Sequence, residues 1–448
     1  MRCVLTRWRL LSWLLRGIVA VWVLTNTCVD ARAALPPGNA VQQWNQIAED
    51  TVVGAGAFQN EGLIYMAYVS AAVYNAVAAI EGAYETYRFN IAADPDASIE
   101  AAVVEAAYVT LRHHFPTQAA TLDGLHVEAL ALIPEGGAKD DGRAIGVAAA
   151  QAIIALRAED GRLTPIGATS AFPTKPPGPG VWRLTPPAFA APQTPWVGRV
   201  QPFVLSNPHQ FRPAAPPPLT SQLWVEEFDE IKMLGSATSG VRSAHETAVA
   251  RFWTANVIRQ YNRLGRELST TRSSSLLQAA RLLAMINVVG ADAQIAVMHW
   301  KYAFLFWRPV TAIDPSAVVA DGFGPVPGFD DGNDETTEEF GWRPLIATPN
   351  HPEYPAAHGS ITSAIAEVVS EFLGTDQIEI DIRGFDPIGP AGNLNATRHF
   401  ISSDDLREEI VAARLWAGVH YRGSSEAGVD LGRRVAQYDL NHAFRATR

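Results

Sequence analysis

Beyond position 28 this 448-residue chain has no cysteine, and its two cysteines, Cys3 and Cys28, both fall in a segment that reads as a removable leader. Arg2, Arg7 and Arg9 form a positive start, Leu10 to Leu24 is mostly apolar, and Ala31-Arg32-Ala33 offers a small-residue cleavage site before Ala34. Arg16 interrupts the apolar run, so cleavage is expected rather than a spanning anchor, and the protein is expected to be secreted or periplasmic. A mature chain without thiols excludes disulfides, cysteine nucleophiles and thiolate metal sites. No later stretch reaches the roughly 18 uninterrupted apolar residues of a membrane helix, so no membrane is expected as a partner after leader removal. No short internal repeat is visible. Positive charge is also scarce: 35 Lys and Arg stand against 46 Asp and Glu, a formal charge of −11. Losing the leader removes five arginines and one aspartate and leaves about −15. That balance argues against nucleic acid and anionic lipid as partners.

What is present is a globular, enzyme-like composition with 48% hydrophobic and 18% charged residues. In Asn60–Ile80, apolar residues recur at spacings of three and four (Leu63, Met66, Val69, Val73, Val77, Ile80), which predicts a helix. Ile99–Leu132, broken near Pro116, and Gly142–Arg157 read the same way, so residues 34–160 are expected to form a helical bundle after the leader at 1–33. Residues 161–218 hold half of the chain's thirty prolines together with Trp182, Trp196, Phe203 and Phe211. Proline excludes regular helix, while the aromatics argue against a disordered linker, so an extended strap is expected here. Helical patterning resumes at Ser221–Leu234, Ser243–Leu268 and Ser273–Trp307, then at about 358–373, 404–418 and 424–439, within a second helical region spanning 219–448. The acidic turn Asp330-Asp331-Gly332-Asn333-Asp334-Glu335 does not match EF-hand spacing and reads as a solvated loop. The class is all-α.

Three short pieces concentrate the chemistry in the last third of the chain. The first is Lys301-x6-Arg308-Pro309, flanked by Tyr302, Phe304, Phe306 and Trp307. Seven helical residues turn through about 700°, so Lys301 and Arg308 are expected on one helix face, with Pro309 ending or kinking that helix. Two cations among aromatics are costly to bury without an anion. The second is Pro355-Ala356-Ala357-His358, which opens an apolar helical run and puts His358 at a helix N-terminus, where backbone amides and the dipole favour an anion. His351, seven residues earlier, is a second imidazole candidate. The third is Arg414-x5-His420, whose members reach one ligand only if the helix ends or bends near Gly418. Arginine offers a multi-donor fork for oxyanion oxygens, and a neutral imidazole can bind the centre of a vanadate or attack a phosphoryl group. Together the pieces suit a compact oxyanion.

In order and spacing these pieces resemble the vanadium-dependent haloperoxidase family and its relatives, the type 2 phosphatidic acid phosphatases and the bacterial class A acid phosphatases. The stretches KYAFLFWRPVTAI, WRPLIATPNHPEYPAAHGS and ARLWAGVHYRGSSEAG look like the signatures of exported bacterial haloperoxidase-like proteins, and YMAYVSAAVYNAVAAIEG is similar as well. The resemblance implies two packed helical bundles of the vanadium haloperoxidase type, joined by the proline-rich strap. It implies vanadate as cofactor, with His420 as its single protein ligand and His358 as the acid–base residue. Lys301 would polarise a bound peroxide oxygen, and Arg308, Arg414 and the Ala357 amide would serve the remaining oxygens. The implied partners are hydrogen peroxide, a halide and a small organic acceptor, and a homo-oligomer is compatible with the resemblance.

Two departures keep other readings open. The family's Ser-Gly before the acid–base histidine is Ala356-Ala357 here, which removes one hydroxyl donor. The phosphatase pattern places an aspartate four residues after the nucleophilic histidine, and that position is Ser424, with Glu426 and Asp430 the nearest acids. The alternatives are a soluble acid phosphatase working through phospho-His420 without a cofactor, and an anion-binding homologue without turnover.

Overall fold

The computed structural model describes residues 34–272, 274–314, 316, 331–384 and 396–447. The leader read at 1–33, with both cysteines, lies outside the described residues, as does Asp330 of the acidic turn. Its neighbour Asp331 accepts hydrogen bonds from Trp224 Nε1 and the Thr336 hydroxyl.

The first helix, α1 (Ala40–Gly54), starts at a reciprocal Asn39–Gln42 capping box. It is followed by α2 (Gln59–Glu81), which ends at the left-handed Gly82, and by α3 (Ile99–His114), capped by Ser98. The expected interruption at Pro116 is a single 3-10 turn, after which come α4 (Ala119–Ala131) and α5 (Gly137–Leu156). The strap has one 3-10 turn, Pro195–Arg199, and then α6 (Gln222–Leu234) begins. The helix expected over Ser243–Leu268 is two helices, α7 (Ala244–Phe252) and α8 (Val257–Thr271). Asn256 breaks the run because its side chain caps α8, accepting from the amides of Ile258 and Arg259.

Next, α9 (Leu276–Phe304) starts at a Ser275–Gln278 capping box, and the short α10 (Pro309–Ile313) follows it. The chain finishes with α11 (Ala357–Leu373), α12 (Ser403–Trp416) and α13 (Arg422–His442). Between α11 and α12 lies one antiparallel pair, β1 (Ile380–Arg383) and β2 (Thr397–Phe400), in register Ile380↔Phe400. Sequence reading did not foresee this hairpin. Among the described residues helix makes up 57% and strand 4%, so the class is all-α.

Both α2 and α9 are long and apolar enough to cross a membrane by length and composition, yet 94% of each such stretch is buried in the protein. Helices apolar all round belong at the centre of a core, and these two pack on each other there. Helices α1, α3 and α5 surround α2, while α11 and α13 pack on α9 and α12 packs on both. Helices α11 and α13 approach each other closely. A Cβ on Gly428 would lie 2.3 Å from the Ala356 carbonyl oxygen, and one on Gly432 would lie 1.9 Å from that of Ser360. Glycine at these two positions lets the start of α11 sit against α13, which sets where His358 stands relative to His420.

The strap is packed, as its aromatics predict: Trp182, Trp196 and Phe203 are all buried. Arg157 stacks over Phe203 at 4.0 Å and donates to the Pro202 carbonyl. From α9, Asp292 accepts the backbone amides of Phe203, Val204 and Leu205 at 2.6, 2.7 and 3.0 Å. Further along, Trp182 N donates to Leu305 O and Trp307 N to Gly180 O, so the strap pairs with the segment after α9 that carries Arg308.

Candidate oxyanion site

Lys301 sits in the last turn of α9, but Arg308 is not on the same helix, and the expected shared face is wrong. The helix stops at Phe304, and Leu305 takes a left-handed conformation (φ 53°). The chain then runs extended to Arg308, the residue preceding α10. The stop comes five residues before Pro309 because the Leu305–Trp307 backbone pairs with the strap and with Glu353, whose amide donates to Phe306 O. Both cations still turn inward. The Lys301 ammonium donates to the carbonyls of Pro352 and Glu353 at 3.0 and 2.9 Å. Arg308 donates from Nε to His351 O (3.0 Å) and from one terminal nitrogen to Val419 O (2.7 Å).

The same guanidinium reaches two imidazoles, His420 Nε2 at 3.2 Å and His351 Nδ1 at 3.0 Å. A guanidinium can only donate, so His420 Nε2 is an acceptor and carries no proton, whereas His351 Nδ1 lies between Arg308 and the Pro352 carbonyl oxygen, 3.2 Å away. His351, a secondary candidate in the sequence, is therefore an Arg308 partner in the pocket wall. Helix α12 ends at Trp416 and the chain turns at Gly418 (φ 76°), the bend needed to bring Arg414 and His420 to one place. Arg414 donates to Trp253 O at 3.2 Å, in the break between α7 and α8. His358 stands at the second position of α11, where first-turn amides, including that of Ala357, lack intrahelical acceptors. Ala356 occupies the N-cap without a side-chain cap bond.

Lys301, Arg308, Arg414 and His420 are essentially solvent-free, at 0–1% exposure, while the His358 residue is partly exposed, so solvent approaches on the His358 side. Burial pulls the guanidinium of Arg308 down to about 10 and that of Arg414 to about 9; for Arg414 the repulsion of Arg308 adds to it. Burial followed by repulsion from Arg308 holds Lys301 well below its ordinary value. His351, His358 and His420 are all pushed well below 6.5 by burial first and by these cations second. His358 Nε2 and Arg414 Nε are buried without hydrogen-bond partners. Among the described residues, no three His, Cys, Asp or Glu side chains converge as a cation site. Crowded cations, neutral imidazoles and unpartnered nitrogens instead make a donor set that fits a compact anion.

One site residue was missed in the sequence. Glu353 is fully buried, and its Oε1 lies 2.9 Å from His420 Nδ1 and 3.1 Å from the amide of Tyr421. Burial raises this carboxyl to about 8 against the pull of Lys301 and Arg308. The acids expected nearest to His420, Glu426 and Asp430, are not its partners. The only signal was a glutamate between prolines in an apolar loop (Pro352-Glu353-Tyr354-Pro355).

The depressed imidazoles set a pH limit on stability. His114, outside the site, is lowered to about 3 by burial and by Arg162, and the three site histidines also lie well below 6.5. Below 6.5 the unfolded chain takes up protons that the folded chain refuses, so stability present above 6.5 is lost as pH falls toward the folded-state values. The expected loss is on the order of 1 kcal/mol per histidine per pH unit. Urea midpoints of the ligand-free protein measured at pH 7.5, 6.5 and 5.5 should fall steeply over the last step.

Comparison with known proteins agrees with this architecture. Residues 281–448 match the model of the VCPO second helical-bundle domain. The vanadium chloroperoxidase of Curvularia inaequalis is 26% identical over 282 residues, which are 49% of this chain and 44% of that protein; the chain thus spans less than half of this relative. The crystal structure of the first bacterial vanadium-dependent iodoperoxidase superposes with a TM-score of 0.73 at 22% identity, covering 92% of this chain and 99% of the other. A holo-type bacterial vanadium-dependent chloroperoxidase superposes with a TM-score of 0.65 at 17% identity, covering 88% and 93%. The fold is therefore the two-bundle helical fold of the vanadium haloperoxidases. Over residues 281–448 the chain is similar to the second helical-bundle domain of that group, and the likeness to a curated vanadium chloroperoxidase points the same way.

Proposed function

We propose that this protein is an exported, vanadate-dependent haloperoxidase that oxidises halide with hydrogen peroxide and halogenates small organic acceptors. The observation that carries the reading is that buried Lys301, Arg308 and Arg414 all act electrostatically on His420, whose Nε2 lone pair faces Arg308. His420 Nε2 would hold the vanadium, and the three cations with the Ala357 amide would hold its oxygens. Bound vanadate supplies Lewis-acid activation of peroxide at constant oxidation state. Lys301, fixed by two carbonyls, presents its remaining N–H to an oxygen of the bound group. His358 is neutral near pH 7, with an unpartnered Nε2, and accepts the proton released by peroxide on the side that solvent reaches. The purified protein reconstituted with orthovanadate is expected to brominate a phenolic dye with peroxide and bromide. Inactivity with chloride, bromide and iodide alike would refute the reading.

Glu353 keeps a second reading open, since it gives His420 the acid that Ser424 does not. A phosphatase working through phospho-His420 would hydrolyse an aryl phosphate and be inhibited by vanadate. Tight vanadate binding without either activity would identify an anion-binding homologue.

Ala356 offers a test of affinity. Serine at this N-cap adds a hydroxyl whose oxygen can accept from a first-turn amide and whose hydrogen can be donated to the anion. Ala356→Ser is expected to raise stability by about 1 kcal/mol and to tighten vanadate binding roughly tenfold. Thermal melting and calorimetric titration read the two effects separately. Unchanged affinity would show that the missing hydroxyl does not limit the pocket.

A further inference from the structure

We propose that Glu353 is the positioning residue that fixes the tautomer and aim of His420, the task an aspartate four residues after the histidine performs in the phosphatase pattern. The proposal deepens the functional reading above, because it takes His420 as the residue that bonds the bound oxyanion.

The two ends of the imidazole are held by different elements. Arg308 approaches Nε2 at 3.2 Å, and because it can only donate, that nitrogen carries the lone pair. The ring proton then sits on Nδ1, 2.9 Å from Glu353 Oε1, so His420 donates to the carboxyl. The same oxygen accepts the Tyr421 amide at 3.1 Å, which ties the backbone beside His420 to the carboxyl as well as the ring. Bonds at opposite ends of a ring stop its rotation and leave Nε2 facing the cations. Ligating histidines commonly owe their tautomer and orientation to such a partner.

The segment around Glu353 also reaches the cations. Carbonyls of Pro352 and Glu353 accept from Lys301, the His351 carbonyl accepts from Arg308, and His351 Nδ1 lies 3.0 Å from the same guanidinium. Residues 351–353 therefore contact three of the five side chains singled out in the sequence. Ser424, at the position of the phosphatase aspartate, takes a different part: its hydroxyl lies 3.5 Å from the Glu353 carbonyl, and its own carbonyl accepts the Ala356 amide. The acid beside this ring thus lies 67 positions upstream of His420 rather than four downstream.

The test begins with the unmodified protein. Long-range ¹H–¹⁵N NMR should show His420 as the Nδ1–H tautomer, with His420→Ala used to assign its signals. Finding Nε2–H overturns the proposal without any Glu353 variant having to fold. Orthovanadate is then titrated into wild type, Glu353→Gln, Glu353→Ala and His420→Ala, followed by calorimetry and ⁵¹V NMR. Glu353→Ala is expected to weaken binding roughly ten- to a hundredfold and to shift the bound ⁵¹V resonance. Glu353→Gln, whose amide oxygen still accepts from Nδ1, should stay within a few-fold of wild type. A folded Glu353→Ala protein with wild-type affinity and resonance overturns the proposal. If wild type binds no vanadate, the functional reading fails, and the tautomer measurement still decides the role of Glu353.

Discussion

Replacing His420 by alanine is expected to abolish turnover, by at least about a thousandfold, roughly 4 kcal/mol of transition-state stabilisation, while leaving the helical fold in place. Under either catalytic reading, His420 Nε2 makes the bond to the central atom of the oxyanion, and a cation cannot substitute for a neutral lone pair. The turn carrying His420 is held mainly through backbone: Arg308 donates to Val419 O, the Tyr421 amide donates to Glu353, and Ile346 N donates to Ala417 O. None of these contacts needs the imidazole, so circular dichroism and gel filtration should match wild type. Steady-state rates with peroxide and each halide, and with an aryl phosphate, measure the loss. Activity within tenfold of wild type would remove His420 from the chemistry and turn attention to His358, whose Nε2 is buried without a partner.

The helices were legible wherever apolar periodicity ran uninterrupted, as in α2, α5, α6 and α11. The break between α7 and α8 was not, because Trp253 to Asn256 continues an apolar pattern and the interruption comes from a side-chain cap. The hairpin was missed for the opposite reason. Ile378-Glu379-Ile380-Asp381-Ile382 alternates with period two, and its three isoleucines are buried, but the signal is five residues long in a helical chain. Lys301 and Arg308 were paired correctly for a faulty reason, since helical geometry cannot foresee that the strap and Glu353 capture the backbone from Leu305 onward.

The five residues singled out in the sequence lie close enough for Lys301, Arg308 and Arg414 to repel a proton from both His358 and His420. What the sequence hid are contacts made by residues without a motif. The carbonyl acceptors of Lys301 and Arg414 come from Pro352, Glu353 and Trp253, and no residue type announces a carbonyl. Glu353 was overlooked because attention to a basic pocket looks for cations. A basic pocket also needs an acid to steer its neutral imidazole.

Asp292→Ala is expected to be the most destabilising single change outside the site, because it acts on the strap that the sequence described only as extended. The carboxylate accepts three consecutive amides, Phe203, Val204 and Leu205, in an environment closed to solvent. Alanine leaves all three donors unpaired, at about 1–3 kcal/mol each, a total on the order of 5 kcal/mol against the 5–15 kcal/mol that typically holds a domain together. Asp292→Asn should lose less, since its oxygen can take the amides of Val204 and Leu205 and only the Phe203 N–H then faces an NH2 donor. Asp439 cannot take over. Burial and the neighbouring Asp292 push its carboxyl well above the usual range and keep it protonated. Urea denaturation gives the stability loss, and hydrogen exchange at 203–205 shows whether the strap opens before the helices. The strap also pairs with Leu305 and Trp307, so loosening it should weaken vanadate binding through Arg308 at urea concentrations where helical content is intact. A loss below about 1 kcal/mol, with wild-type exchange at those amides, would mean that the buried aromatics alone hold the strap in place.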